Sequence, residues 1–157
     1  MSHDLSKALS GMVQRETAAL RSFPEKETSN RPSGSSSWSS KEELGHLIDS
    51  AVNNHVRFVR ASIETEFHGP KYAQDDWVSI HGYQEMPWSS IVAFWVQYNS
   101  FIADLLARIP NNKLTTQCFI GDGEPVTLRF LIEDYILHAQ HHLDHLLRRE
   151  KVTRYPA

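Results

Sequence analysis

The sequence predicts an all-α fold, an antiparallel four-helix bundle with a short β-hairpin between its third and fourth helices. Three observations carry this expectation. Four long segments repeat apolar residues at the helical period. Clear start and stop signals separate them. Only one short stretch, in the third connection, has the character of a strand. The chain has 157 residues and is 40% hydrophobic, enough to bury a real core. Residues 1–157 therefore read as one domain.

The first helix is expected from Asp4 to about Ser22. Leu5, Ala8, Leu9, Met12, Val13 and Leu20 share its apolar face, and Pro24 ends it. Residues 23–40 read as a loop, because Ser33-Gly34-Ser35-Ser36-Ser37-Trp38-Ser39-Ser40 is low in complexity. Its end is a start signal. Ser39 with Glu42, or Ser40 with Glu43, makes a capping box. The second helix then runs from about Lys41 to Glu66, and Gly69-Pro70 stops it.

Lys71 to Pro87 is irregular and aromatic, with Tyr72, Trp77, Tyr83 and Trp88 in or beside it. The third helix starts near Pro87, a residue suited to a first turn. It passes through Ile91, Phe94, Trp95, Tyr98, Phe101, Ile102, Leu105 and Leu106 and ends before Pro110. Gly121-Asp122-Gly123-Glu124-Pro125 is a strong turn, and Leu114 to Phe119 is the expected first half of the hairpin. Thr127 can cap the fourth helix, which extends to about Lys151. There is no internal repeat.

Composition excludes several classes. Sixteen Lys+Arg against nineteen Asp+Glu leave a net charge of −3, which gives no basic surface for a nucleic-acid backbone. Cys118 is the single cysteine, so neither an intramolecular disulfide nor a thiolate zinc site can form. A lone cysteine reads as a small buried apolar residue. The N-terminus has no basic region followed by an apolar run, and no stretch approaches about 18 uninterrupted apolar residues. The expectation is a cytoplasmic protein with no membrane partner.

Nine histidines are an excess for a chain of this length. Four fall within His138-Ala139-Gln140-His141-His142-Leu143-Asp144-His145. Imidazoles four apart on a helix lie one above the other and can grip one metal ion. At about 100° per residue, His138 and His142 sit at the edge of the apolar face made by Leu131, Ile132, Tyr135, Ala139 and Leu143. His141 and His145 fall on the other side, with Asp134. A metal site needs partly buried ligands converging from several elements, so His138 and His142 are the better pair.

A third ligand has to come from elsewhere: His46 or His55 in the second helix, or His68 or His81 in the connections. His46 shares a polar stripe with Asp49, Ser50, Asn53 and Arg57. Leu44, Leu47, Ile48, Ala51, Val52, Val59 and Ile63 gather opposite. Periodicity thus turns His46 towards solvent and makes His55 the buried histidine. The alternative is that the helix buries both sides, with its polar stripe lining a pocket.

Trp38-Ser39-Ser40-Lys41-Glu42-Glu43-Leu44-Gly45-His46-Leu47-Ile48-Asp49-Ser50 resembles the second helix of the DinB-like metalloprotein superfamily. Asn53-Asn54-His55-Val56-Arg57-Phe58 is most similar to the bacillithiol S-transferase branch. Tyr72-Ala73-Gln74-Asp75-Asp76-Trp77 loosely resembles that branch's Tyr-Asp-x-x-x-Trp segment. Tyr135 to Leu143 resembles its closing His-x-x-His-His signature. The similarity spans about Trp38 to Leu147. One position departs: Ala51 stands where the branch often carries a further histidine.

The resemblance implies a DinB-like bundle with a divalent metal, zinc or nickel, held by His46, His138 and His142. A low-molecular-weight thiol is the implied co-substrate and a small electrophile its partner, in a homodimer. Such a metal lowers the pKa of a bound thiol or water. Asp49, one turn from His46, can orient a ligand imidazole or accept a proton. Asn53 and Arg57 can hold an anionic thiol cofactor. Trp77 and Tyr83, with Trp88, can wall the pocket. The expected function is a metal-dependent thiol S-transferase. A hydrolase using metal-bound water and a non-catalytic metal-binding stress-response bundle are the alternatives.

Overall fold

The computed structural model describes residues 1–32, 37–150 and 155. The expected loop at 33–36 and the expected helix end at Lys151 lie outside them. Four long helices form the body: α1 (Ser2–Ser22), α2 (Ser40–Ile63), α4 (Trp88–Arg108) and α5 (Leu128–Leu146). A short helix α3 (Gln74–His81) lies in the second connection. Strands β1 (Phe67–Gly69), β2 (Gln117–Ile120) and β3 (Val126–Thr127) make a small sheet in the order β1-β2-β3. This is the expected mostly helical bundle with its hairpin.

The capping signals act as the sequence predicts. Ser39 Oγ accepts from the Glu42 backbone N–H at 3.2 Å, and Glu42 Oε1 accepts from the Ser39 N–H at 3.1 Å. Two amides of the first turn are thereby satisfied. Thr127 Oγ1 does the same for Phe130 at 3.1 Å. α1 packs along α4, while α2 lies against both α4 and α5. The buried apolar residues join in one cluster, with Trp95, Phe58, Leu9, Met12 and Leu128 at its heart. Among the described helices, α4 is long and apolar enough to cross a membrane by length and composition. In this fold Trp88, Ile91, Val92, Trp95 and Ile102 of that helix are core residues.

Several expectations are corrected. The stretch from Lys71 to Pro87 is not wholly irregular, because α3 occupies part of it and Gly82, at φ 65°, ends it. α2 stops at Ile63 rather than Glu66. There Arg60 forks onto the Glu64 carboxylate at 2.8 and 2.9 Å, and the chain turns into β1. β1 pairs in parallel with β2, Phe67 opposite Cys118, a partner some fifty positions away that no local pattern announces. α5 stops at Leu146. Arg148 takes a left-handed φ of 56°, and the Arg149 guanidinium pairs with Glu16 at 2.7 Å and Asp144 at 2.6 Å. Ile63, expected on the apolar face of α2, is 75% exposed at its end.

Candidate metal centre

α2 and α5 pack side by side and bring His46, His138 and His142 together. One nitrogen from each lies within 4.8 Å of the others. His46 Nε2 and His138 Nε2 are 3.3 Å apart. Two nitrogens about 2.05 Å from one zinc at the tetrahedral angle are about 3.3 Å apart. His46 is 1% exposed, and the Trp38 ring lies over it at 4.7 Å between centroids. Burial pulls the pKa values of His46 and His138 down to about 3, and the neighbouring imidazoles add to the shift. Both rings are therefore neutral near pH 7 and offer lone pairs, the form a metal requires. Two buried lone pairs facing each other repel unless a proton or a cation lies between them. The donor set thus fits a divalent ion.

The third ring is held from behind. Glu43, 4% exposed, accepts from His142 Nδ1 at 2.7 Å through Oε2 and from His145 Nδ1 at 2.7 Å through Oε1. A proton fixed on His142 Nδ1 leaves its Nε2 lone pair free to ligate. Glu43 lies one turn before His46 on α2, so a single helix supplies one imidazole of the cluster and the carboxylate that orients another.

Two cavities adjoin the imidazoles. One, of about 340 Å³, is lined by Pro32, Trp38, Glu43, His141, His142 and His145. The other, of about 160 Å³, is lined by Ser50, Asn54, Arg57, Tyr72, Asp134 and His138. There Arg57 Nη2 donates to the Pro70 carbonyl at 3.1 Å. Tyr155 folds back over the same site, with its ring 5.5 Å from His138 and its hydroxyl donating to Asp134 at 3.1 Å. Burial and the Asp134 carboxylate push the Tyr155 phenol up to about 12.

The other residues singled out from the sequence are placed as follows. Arg57 faces the smaller cavity. Asn53 instead turns back on its own helix and donates to the Asp49 carbonyl at 2.9 Å, and its neighbour Asn54 lines the cavity. Asp49 is fully buried, and its hydrogen bonds do not go to the three imidazoles. Its Oδ1 accepts from the Tyr83 hydroxyl at 2.6 Å and from His81 Nδ1 at 2.9 Å. Trp77 leans on Tyr72 and His81. Trp88 belongs to the core and donates through Nε1 to the Leu20 carbonyl. Cys118 is buried, and that burial pushes its thiol up to about 11. His55 hydrogen-bonds Tyr98 at 2.8 Å, away from the cluster.

Sequence reasoning missed Glu43 as an orienting group, and it missed the roles of Trp38, Asn54, His81 and Tyr155. Glu43 had a signal, an acid one turn from a candidate ligand. His81 and Tyr155 had none, because tertiary folding alone brings them to α2 and α5. The polar stripe of α2 lines cavities instead of facing water, as α5 and the second connection cover it.

A search of curated proteins finds no match. Among solved structures, the fold is similar to that of YfiT from Bacillus subtilis, described as a probable metal-dependent hydrolase with an unusual four-helix bundle topology. The TM-score is 0.80 at 18% sequence identity, covering 94% of this chain and 84% of that one. At that identity the likeness concerns the fold. The family model of the DinB superfamily matches residues 8–146. With a match over most of its length and a bundle of the same topology, the chain belongs to the DinB superfamily.

Proposed function

We propose that the protein is a divalent-metal-dependent enzyme whose three-imidazole centre activates a small thiol for transfer to an electrophilic carbon. The observation that carries this reading is the convergence of three histidines from two helices, two of them held neutral by burial. Zinc or nickel suits an all-imidazole donor set. A metal bound there supplies a lowered pKa to a thiol or water beside it. The chain does the rest. His46, His138 and His142 hold the ion, and Glu43 fixes the tautomer of His142. Arg57, half-buried and lining the same cavity as His138, offers a guanidinium fork to a carboxylate on the thiol. The larger cavity on the His142 side gives the electrophile a separate entrance.

The thiol class follows from Arg57 and from the resemblance to the bacillithiol S-transferase branch, from which Ala51 departs. The metal-dependent hydrolase reading is favoured by the description of YfiT. Both readings use the same imidazoles and differ in the nucleophile. The test is metal analysis of untagged protein, followed by turnover of a chlorodinitroarene with thiols that carry or lack carboxylates. The expected result is metal-dependent turnover that favours carboxylate-bearing thiols, with a higher KM for them in Arg57→Ala. Ester cleavage at equal rate without any thiol supports the hydrolase instead. Metal binding with neither activity supports a non-catalytic bundle. The same preparation reports oligomeric state, and a homodimer is expected to cover the exposed Val56 and Phe101.

A further inference from the structure

A third cavity, of about 380 Å³, opens on the other side of α2. Ile48 and Val52 of α2, Met86, and Ile91 and Phe94 of α4 form its apolar wall, with Asp49, His81, Tyr83 and Ser90 as its polar groups. None of the three clustered imidazoles lines it. Its volume lies in the range of small-molecule sites, and an apolar wall with a few placed polar groups is the usual character of such sites.

Asp49 is the unusual member. It is fully buried, and both of its donors act on one oxygen: the Tyr83 hydroxyl and His81 Nδ1 both bond Oδ1. Its other oxygen, Oδ2, is buried with no hydrogen-bond partner. A buried carboxylate oxygen without a donor forfeits a charge-assisted hydrogen bond while bearing the full desolvation cost. Tyr83 is a neutral donor, and among the described residues no lysine or arginine side chain lines the cavity. Oδ2 can only accept. A carboxylate oxygen without a donor, a lining with no lysine or arginine and an apolar wall together define one kind of occupant.

We propose that this cavity is a binding site for a small apolar amine, whose ammonium group donates to Asp49 Oδ2 while its hydrocarbon body lies against Val52, Met86, Ile91 and Phe94. The site does not depend on the metal centre. Tyr83 and His81 are positioning residues that hold the carboxylate with Oδ2 free. Gly45 allows this arrangement, because a Cβ there would lie 2.1 Å from Cδ2 of the Tyr83 ring.

The test titrates the full chain with 2-phenylethylammonium and with 2-phenylethanol, following the Met86 methyl resonance and the heat of binding. The amine is expected to bind at least about tenfold more tightly than the alcohol, as a charge-assisted hydrogen bond requires, and to shift Met86. Asp49→Asn is expected to lower amine affinity by about tenfold or more, since its amide would set a donor against a donor. Val52→Phe fills the cavity, leaves the Asp49 hydrogen bonds in place and is expected to abolish binding of both probes. His138→Ala is expected to leave amine binding unchanged, which separates this site from amine ligation at the metal. Equal affinity for amine and alcohol, or full amine binding in Val52→Phe, overturns the proposal. So does loss of binding in His138→Ala.

Discussion

The two sides of α2 bury titratable groups by opposite means. On the α5 side His46 meets His138 and His142, and burial, helped by the neighbouring imidazoles, keeps two of the three rings uncharged. On the α3 and α4 side, Asp49, three residues further on, keeps its oxygens in an apolar wall, with two donors on one of them. A neutral imidazole accepts burial cheaply but carries a lone pair that wants a cation. A carboxylate resists burial and must be given donors. The first side therefore offers lone pairs that suit a metal ion, and the second an acceptor that suits a hydrogen-bond donor. Three residues of helix separate the two kinds of site.

The largest expected effect comes from breaking the first side. His138→Ala combined with His142→Ala is expected to bring metal content from about one ion per chain to none, because one imidazole cannot hold the ion. Elemental analysis of untagged protein checks it, and retained metal refutes the assignment.

A pH titration contrasts the two sides by sign. His46 and His138 have native pKa values of about 3 against 6.5 unfolded. The unfolded chain then binds more protons between those values. Metal-free protein is expected to lose a few kcal/mol of stability as pH falls from about 6.5 towards 3. Asp49 works the other way. Burial raises its pKa above 3.8, so its contribution becomes less favourable as pH rises through the window above 3.8. Urea unfolding of chelator-treated protein at pH 7, 6 and 5 reads the sum. Stability that does not fall between pH 6.5 and 5 contradicts the imidazole assignment. A steeper acid loss is expected in Asp49→Asn.

Smaller effects sharpen the contrast. Glu43→Gln removes the charge behind His142 and is expected to weaken metal affinity by about 10- to 100-fold, while amine binding on the far side stays as it was. Competition with a chromogenic chelator measures the first quantity. Gly45→Ala acts on the other side. Its new Cβ collides with the Tyr83 ring, at an expected cost of about 1–3 kcal/mol in unfolding free energy. Unchanged unfolding in that variant would mean that the ring is not held against α2.

Much of the scaffold is legible in the sequence because its signals are local. The Ser39 and Glu42 box and the Thr127 cap each act within one turn, and the helix starts at Ser40 and Leu128 follow from them. The break at Pro110 and the turn at Gly121 are equally local. α3 was missed because eight residues hold too little periodicity to rise above an aromatic loop. β1 was missed because its partner, β2, is distant in the chain. The facing angles on α5 selected His138 and His142 from four histidines, and the structure puts these two, not His145, beside His46. On α2 the same reasoning turned His46 outwards, and only the family resemblance pointed to it.

The sequence by itself determined four amphipathic helices, their caps and the histidine pair on α5, since each depends on neighbours within a few residues. The third imidazole, the Glu43 support behind His142 and the Asp49 pairing with Tyr83 and His81 were decided only by the tertiary structure. Periodicity tells which residues of a helix share a face. It does not tell whether that face meets water or another helix, and α2 is covered on both sides.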